Sequence, residues 1–499
     1  MAASLRRRPL WALAAALVAG CAVGPDFRRP AAPGAERYTQ APLPAATAAA
    51  PGAGGAAQRF LPARDIPGEW WALFRSAPLN AMIAEAVKAN PTLAAAEAAL
   101  RQAHELTLAG RGAFFPTAQL GLSASRNKTA SSLSPATASG SLYYSLYTAQ
   151  LAVTYVPDVF GGTRRQVEVL GAQEAAQRFQ LEAAYLTLTA NLVAAAVSEA
   201  ALRGQIAATE DIIGIARQSL DILRRQEALG QIAGADVAVQ EAALAQAEAS
   251  LPPLRKQLAQ QRHLLAVLAG RPPSAGPSAE FDLASLDLPR ELPVSLPSRL
   301  VEQRPDIRAA EAQLHAASAI IGVAIANRLP LLTLTANPGL GAVTLGQLAT
   351  PGAGFWTLAA NAAATVFDAG ALRHKQRAAE AAYDAAAAQY RATVLTAFQN
   401  VADSLRALAS DADGLKAAAA AERAAATSLA IARRQLAIGA INPLALLIAE
   451  QGYQQTRIAL AGARAARLAD SAALFQALGG GWWNRDDVKT AAEARGVSR

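Results

Sequence analysis

The chain has 499 residues, enough for two or three ordinary domains, with 17% charged and 5% aromatic residues. That balance excludes a disordered polyelectrolyte and favours long alanine-rich helices packed through small side chains. The net charge of +8 falls to +5 once Arg6, Arg7 and Arg8 are set aside, and the rest is scattered without Lys/Arg clusters beside aromatic residues, so no nucleic-acid surface is expected.

The first element is a leader. Arg6, Arg7 and Arg8 precede a short apolar core at residues 10–18, too short to span a bilayer and of the composition of a secretory signal. It closes on Leu17-Val18-Ala19-Gly20-Cys21, which resembles a bacterial lipobox. The resemblance implies a signal peptide over residues 1–20 and a diacylglycerol on Cys21. The alternatives are an ordinary signal peptide ending near a chance cysteine, or a buried thiol. Cys21 is the only cysteine, so no disulfide forms within the chain. A single acyl chain anchors weakly. No apolar run of about 20 residues follows, so no transmembrane helix is expected and membrane insertion must use strands.

After an extended linker over residues 21–68 the chain repeats itself, at 69–280 and 281–480. Asn90-Pro91 with Ala95-Ala96-Glu97-Ala98-Ala99-Leu100 matches Arg304-Pro305 with Ala309-Ala310-Glu311-Ala312-Gln313-Leu314, and Pro116 and Leu120 match Pro330 and Leu334. Further on, Gly161 and Arg164 match Gly370 and Arg373. Arg224-Arg225-Gln226, Ala228 and Gly230 match Arg433-Arg434-Gln435, Ala437 and Gly439. Alanine-rich low complexity does not explain paired Pro, Gly and Arg positions.

Each repeat predicts the same order of elements. A helix (91–112; 305–328) ends at a Pro break. Two strand-like runs follow (117–126 and 143–156; 331–344 and 354–367), each pair joined by a Ser/Gly/Pro/Thr-rich loop. A very long helix comes next (161–229; 370–438), with Leu181, Tyr185, Leu188 and Leu192 on one face. At 1.5 Å per residue each would run roughly 100 Å. A glycine turn at Gly230 or Gly439 reverses the chain into a second helix (235–269; 443–478). Pro252-Pro253 predicts a kink or restart in the first of these, and residues 481–499 predict a disordered tail.

Helices of this length need partners along their whole length. Four strands cannot close a barrel, and strands entering lipid must close, so several chains must contribute. Phe114, Phe115, Tyr143, Tyr144, Tyr147, Tyr155, Phe355 and Trp356 flank the strands as candidate girdle residues. A small soluble sheet is the alternative.

The order of these units resembles the TolC-like outer membrane factors, specifically the NodT-type lipoproteins. The residues that carry it are Cys21-Ala22-Val23-Gly24-Pro25-Asp26-Phe27 with Pro30, Trp70-Trp71 with Phe74, Asn90-Pro91, Pro157-Asp158-Val159-Phe160-Gly161, Val366-Phe367-Asp368-Ala369-Gly370, Leu268-Ala269-Gly270-Arg271-Pro272-Pro273 and Ala477-Leu478-Gly479-Gly480-Gly481-Trp482. The resemblance implies a mixed α and β membrane protein: a homotrimer whose 12-strand outer-membrane β-barrel continues into a 12-helix periplasmic α-barrel. It also implies a passive efflux duct, lipid-anchored in the outer membrane. The partners it implies are a periplasmic adaptor and an inner-membrane RND transporter, which supplies the energy.

Relatives shut such a tube near the helix turns. Asp236 matches an acidic position of the first turn; in the second, Ala445 and Ile448 stand where relatives carry aspartates, and Leu444 matches an apolar constriction. Leu444, Ile448 and Asp236 are therefore gate candidates, the alternative being that Leu444, Leu447 and Ile448 simply face the core. Arg224, Arg225, Arg433 and Arg434 are candidate adaptor contacts, or solvated helix-end charges. No enzyme is expected. His104, His263, His315 and His374 are scattered without ligand spacing, and there is no P-loop, GxSxG or zinc pattern, so neither cofactor nor metal is predicted. Two other readings stay open: a channel for type I protein secretion, and a coiled-coil structural lipoprotein without a pore.

Overall fold

The computed structural model describes residues 22–128 and 143–489; the leader, Cys21 and residues 490–499 lie outside them. In chain order the elements are β1 (Arg59–Pro62), α1 (Ala77–Ala89), α2 (Pro91–Arg111), β2 (Thr117–Lys128), β3 (Tyr143–Tyr155), α3 (Gly162–Ala228), α4 (Gly234–Leu268), β4 (Glu291–Val294), α5 (Pro297–Gln303), α6 (Pro305–Ala326), β5 (Leu331–Ala336), β6 (Gly339–Ala342), β7 (Gly354–Phe355), β8 (Leu358–Ala363), α7 (Ala371–Ala437) and α8 (Pro443–Ala477). The duplicated order of helix, strands, long helix and return helix is present in both halves, and α3 and α7 each hold 67 residues.

Local chemistry sets the boundaries. Asn90 caps α2, its Oδ1 accepting from the Thr92 and Leu93 N–H groups, with Pro91 in the first helical position. Asp158 receives the Thr163 and Arg164 N–H groups at the start of α3, and Asp368 those of Gly370 and Leu372 at the start of α7. Both long helices end alike. Gly230 and Gly439 take φ of +68° and +69°. The Gln231 N–H then reaches back to Gln226 O at 2.9 Å and the Ala440 N–H to Gln435 O at 2.8 Å. This is the glycine C-cap that stops a helix and reverses the chain.

The fold divides into two compact units. The first comprises the described residues up to Arg29, Leu100–Gln177 and Ala310–Tyr390. Its sheet places β2 beside β3, β3 beside both β5 and β6, and these beside β8 and β7 respectively, all antiparallel. The two strands expected of the second repeat are thus each broken in two. Pro338 has no N–H for the ladder, and the breaks face each other: the Asn337 N–H donates to Thr357 O at 2.8 Å and the Thr357 N–H to Asn337 O at 3.2 Å. Residues 364–367, expected as strand, are not strand. Val169, Ala172, Ala316 and Ala319 form a small core where α3 meets α6.

The second unit comprises Pro30–Ala99, Arg178–Ala309 and the described residues from Arg391 onward. Its aromatic core stacks Trp70 on Phe475 at 5.4 Å and sets Trp70 edge-on to Phe74. The short parallel pair of β1 and β4 was not anticipated. The restart expected as one outcome in α4 and the disorder expected of the whole tail are corrected. Helix α4 passes through Pro252-Pro253 without restarting. The carbonyls those prolines deprive of partners belong to Glu248 and Ala249, exposed residues that water can serve. The tail is ordered as far as Lys489: Arg485 forms ion pairs with Glu182 and Asp487 at 3.0 and 2.9 Å, and the Asn484 side chain donates to Ile66 O at 2.7 Å. Finally, α3 and α6 each contain an 18-residue window apolar enough to cross a membrane by composition, but 56% of each window is buried inside the fold, as in core helices.

Candidate functional site

The sheet of the first unit has two chemically distinct faces. Successive side chains alternate across a strand and directly paired residues share a face. In β2 one face carries Ala118, Leu120, Leu122 and Ala124, whose partners in β3 are Val153, Leu151, Ala149 and Tyr147. The same face continues through Leu332, Leu334 and Ala336 of β5, through Leu340 and Ala342 of β6, and through Leu358, Ala360 and Ala362 of β8. The other face carries Gln119, Ser123 and Ser125 against Ala152, Thr148 and Leu146, then Thr333 and Thr335 against Asn361 and Ala359. None of these residues is charged. The apolar face is bare: Leu120 is 75% exposed and Leu122 78%. Tyr147 and Tyr155 stand on it eight residues apart, about 26 Å along a strand, close to the height of a lipid-facing band with aromatic edges. Both edges of the sheet, β2 and β8, lack a partner strand among the described residues.

At the base of the sheet the residues that follow Cys21 are held firmly. The Val23 N–H donates to Phe160 O at 3.0 Å. The buried Arg165 guanidinium donates to Val23 O, Gly24 O, Asp26 and Glu168 at 3.1, 3.3, 2.8 and 2.7 Å. Phe27 stacks on His315 at 4.4 Å, and His315 Nε2 lies 2.8 Å from Glu168 Oε1. Gly24 meets Gly322 so closely that a Cβ on it would come within 2.4 Å of Gly322 Cα, so only glycine fits. Cys21 itself lies outside the described residues. Sequence reading did not find this cradle, because Arg165, Glu168 and His315 share no short motif.

In the second unit, the turns after α3 and α7 carry the predicted tip residues. Leu220, Leu223, Val237, Leu429, Ala432, Leu436 and Leu446 form one core that joins α3, α4, α7 and α8. Leu447 is buried, whereas Leu444 and Ile448 are 52% and 62% exposed, one helical turn apart. The all-core alternative therefore holds only for Leu447. Asn442 starts α8, its Oδ1 accepting from the Ala445 N–H at 3.0 Å. Asp236 lines an open groove of about 940 Å³ between the two turns, with Ile441 and Asn442; Leu444 and Ile448 are not in that lining. Arg224 pairs with Glu241 at 2.7 Å. Arg225, Arg433 and Arg434 are exposed and form no ion pair among the described residues.

Two buried polar groups lie in the same unit. Arg467, fully buried on α8, donates to Gln58 Oε1, Gly54 O, Thr47 Oγ1 and Ala56 O at 2.8–3.3 Å, which straps residues 47–58 to the helix. Burial, with the Asp470 carboxyl hydrogen-bonded beside it, pushes Asp411 up to about 7 despite Arg467 nearby. Glu450 of α8, 3% exposed, accepts from the Ser219 hydroxyl of α3 and from Gln240 Nε2 of α4 at 3.1 Å. The sequence gives no sign of either group, since its pattern marks buried positions but not which polar residue closes a network there. Among the described residues no cluster of His, Cys, Asp or Glu fits a metal ion.

Comparison with known proteins places this arrangement. Residues 82–271 and 296–480 match the family model described as outer membrane efflux protein. The pyoverdine export outer membrane protein OpmQ of Pseudomonas putida is 31% identical over 88% of this chain and 94% of its own length. The probable efflux pump outer membrane protein TtgC of the same species is 29% identical over 95% of each. Among solved structures, the outer-membrane channel OprN superposes with a TM-score of 0.82 at 28% identity, covering 93% of this chain and 100% of that one. The open state of the Neisseria gonorrhoeae MtrE outer membrane channel gives 0.78 at 25% identity, covering 93% and 99%.

Proposed function

The chain belongs to the outer membrane efflux protein family, a family of efflux ducts, and from that premise we propose that three copies form the exit duct of a tripartite efflux pump. It is an outer-membrane efflux protein reaching into the periplasm, with the TolC-like fold. In the trimer the sheets join edge to edge into one closed barrel, apolar face to lipid and uncharged polar face to a water-filled lumen. Closure satisfies the open edges of β2 and β8, which lipid would otherwise leave without hydrogen-bond partners. The duct is passive: an inner-membrane RND transporter supplies the energy, and a periplasmic adaptor joins the two.

The observation that carries this reading is the two-faced sheet with both edges open. A coiled-coil tether has no use for it. Leu444 and Ile448, apolar and exposed at the start of α8, form the gate, closing by excluding water from a narrow apolar ring. Arg225 and Arg434 face the adaptor. Cys21 carries the lipid, and the Arg165 cradle fixes where that lipid leaves the fold.

The test compares susceptibility to antibiotics, dyes, detergents and metal salts in a deletion strain and its complemented parent, alongside conductance of the purified protein in planar bilayers. Increased sensitivity on deletion, and discrete channels from a heat-modifiable oligomer, are expected. Unchanged sensitivity with a conducting protein points to protein secretion instead; a non-conducting monomer overturns the duct.

A further inference from the structure

One helix junction at the base of the sheet lies inside the chain and carries a strap. Where α3 meets α6, residues 22–27 lie across the pair. Arg165 of α3 donates to Val23 O, Gly24 O and Asp26, and Gly322 of α6 leaves room for Gly24. Glu168 accepts from Arg165 at 2.7 Å and lies 2.8 Å from His315 of α6. The one arginine thus sits between two carboxylates.

The register that matches Gly161 with Gly370 and Pro116 with Pro330 matches α3 with α7 and α6 with α2. Helix α2 leads into the edge strand β2, and α7 follows the edge strand β8. In the ring of joined sheets α7 of one copy therefore comes beside α2 of the next and repeats the α3–α6 junction between copies. The side chains there are different. Arg165 is replaced by His374, Glu168 by Arg377, His315 by Arg101 and Gly322 by Leu108. The Glu168–His315 contact becomes arginine facing arginine.

Arg373 and Lys375 flank His374, and no carboxylate occurs from Ala369 to Ala379. Asp368 spends its oxygens on the Gly370 and Leu372 N–H groups. Glu105 is the single carboxylate of α2 from Ala98 to Arg111. Arg101, Arg373, His374, Lys375 and Arg377 are exposed and form no ion pair among the described residues. Residues 373–377 span about 6 Å of helix. That is inside the roughly 8 Å over which charges act on one another in physiological salt, so Arg373, Lys375 and Arg377 repel one another and call for an anion. Leu108, 43% exposed, fills the gap that Gly322 leaves open, so a second backbone strap does not fit.

Height selects the anion. Ala363 ends the apolar-faced strand β8 and Ala371 begins α7. The basic side chains therefore stand just past the apolar band, in the layer of roughly 5–8 Å that headgroups occupy on each side of the hydrocarbon. Clustered Lys and Arg at that level attract anionic headgroups.

We propose that each junction between copies holds an anionic phospholipid of the periplasmic leaflet. Its phosphate lies among Arg373, His374, Lys375 and Arg377 of one copy and Arg101 of the next, and its glycerol esters pack on Leu108. The lipid takes the place that residues 22–27 take inside each chain. This site rests on the duct reading above and names a ligand of the assembled duct.

The test heats the purified protein in vesicles of phosphatidylethanolamine alone and of phosphatidylethanolamine with phosphatidylglycerol, and follows the heat-modifiable oligomer on gels. Native mass spectrometry of the same samples reads retained phosphatidylglycerol. We expect the wild-type oligomer to survive to a higher temperature with phosphatidylglycerol and to retain it. Removing two Lys/Arg contacts weakens binding of an anionic headgroup about thirtyfold, so Lys375→Gln with Arg377→Gln should lose both the gain and the retained lipid while matching wild type in phosphatidylethanolamine alone. Lys416→Gln, an exposed position about 60 Å further along α7, should keep both. No gain from phosphatidylglycerol in the wild type, or an equal gain from inorganic phosphate, overturns the lipid site. Arg377→Gln and Glu105→Gln that weaken the oligomer equally in both vesicles overturn it too, in favour of an ion pair between copies. A wild-type protein that forms no heat-modifiable oligomer in either vesicle overturns the duct reading instead, so the two failures are distinguishable.

Discussion

The strand-bearing unit and the helix-turn core answer the same physical demand in opposite ways. Around the turns, Leu223, Leu429 and Leu446 are packed by the chain's own helices, and the leucines are inside. In the sheet, Leu120 and Leu122 point outward and stay bare, while the opposite face carries Gln, Ser and Thr. The first region has its solvent boundary in the usual place. The second is inverted, and only a hydrocarbon surround together with further copies of the strands gives its apolar face and open edges a low free energy. One region is complete as a single chain; the other is part of a larger object.

The sharpest break of this comparison is a charge on the bare face. Leu120→Arg or Leu151→Arg puts a guanidinium at mid-height of the apolar band, costing about 2–4 kcal/mol in every copy. We expect the heat-modifiable oligomer to vanish from outer-membrane fractions. Ser123→Arg, three positions along β2 and on the polar face, is expected to assemble and to change conductance and ion selectivity only. Equal effects from the two faces would end the assignment of lipid and lumen sides.

The helix-turn core should respond as an ordinary protein interior. Leu223→Ala removes a fully buried side chain, and a loss of about 2–5 kcal/mol is expected from transfer and cavity terms together. Chemical denaturation followed by helical signal at 222 nm measures it. The same substitution at Leu120 should cost the solubilised protein far less, because there the leucine packs on detergent or lipid.

How much of this was legible beforehand follows the same division. The matched Pro, Gly and Arg positions of the two repeats and the glycine turns exposed both hairpins and their ends to within a residue or two, because a long periodic helix states itself many times over. The first pair of strands, β2 and β3, was equally plain. The second pair of strands was not, since one proline at 338 splits it and forces the facing strand to break as well. The strand pair β1–β4, the Arg467 strap, the Arg165 cradle and Glu450 were invisible for a common reason. Each joins positions more than a hundred residues apart, the strand pair through its backbone and the others through a single polar side chain, and no local pattern distinguishes a buried arginine or glutamate from a solvated one. The tail misled for a related reason: its mixed charges look solvated, yet Arg485 sits over the Tyr185 ring at 3.9 Å and bonds the buried Glu182.

A pH titration sharpens the comparison further, because the core of the helical unit contains acids and the faces of the sheet described above contain none. Asp411 is held near 7 in the fold against an ordinary 3.8. Between roughly pH 4 and 7 the folded protein therefore keeps a proton that the unfolded chain releases, and stability falls as pH rises through that window. Allowing for partial solvent exposure, a loss of about 2 kcal/mol between pH 5 and 8 is expected. Asp411→Asn should flatten the profile and raise the melting temperature at pH 8. A profile unchanged by that substitution would remove Asp411 as its cause.

The smallest expected effect tests whether the two repeats start their helices by the same means. Asn442 caps α8 through one bond to the Ala445 N–H, with Pro443 already fixing the first helical φ. Its counterpart at the start of α4, Ala233, has no side chain to offer, so the first hairpin manages without a cap. If capping matters only where the helix start must hold an exposed apolar pair in place, Asn442→Ala should cost about 1 kcal/mol and loosen the Leu444–Ile448 turn, read as faster amide exchange over residues 443–448. Ala233→Asn should add stability of the same order at the first turn and leave channel gating untouched. Comparable gating changes from both substitutions would show that the first turn holds the tip as directly as the second.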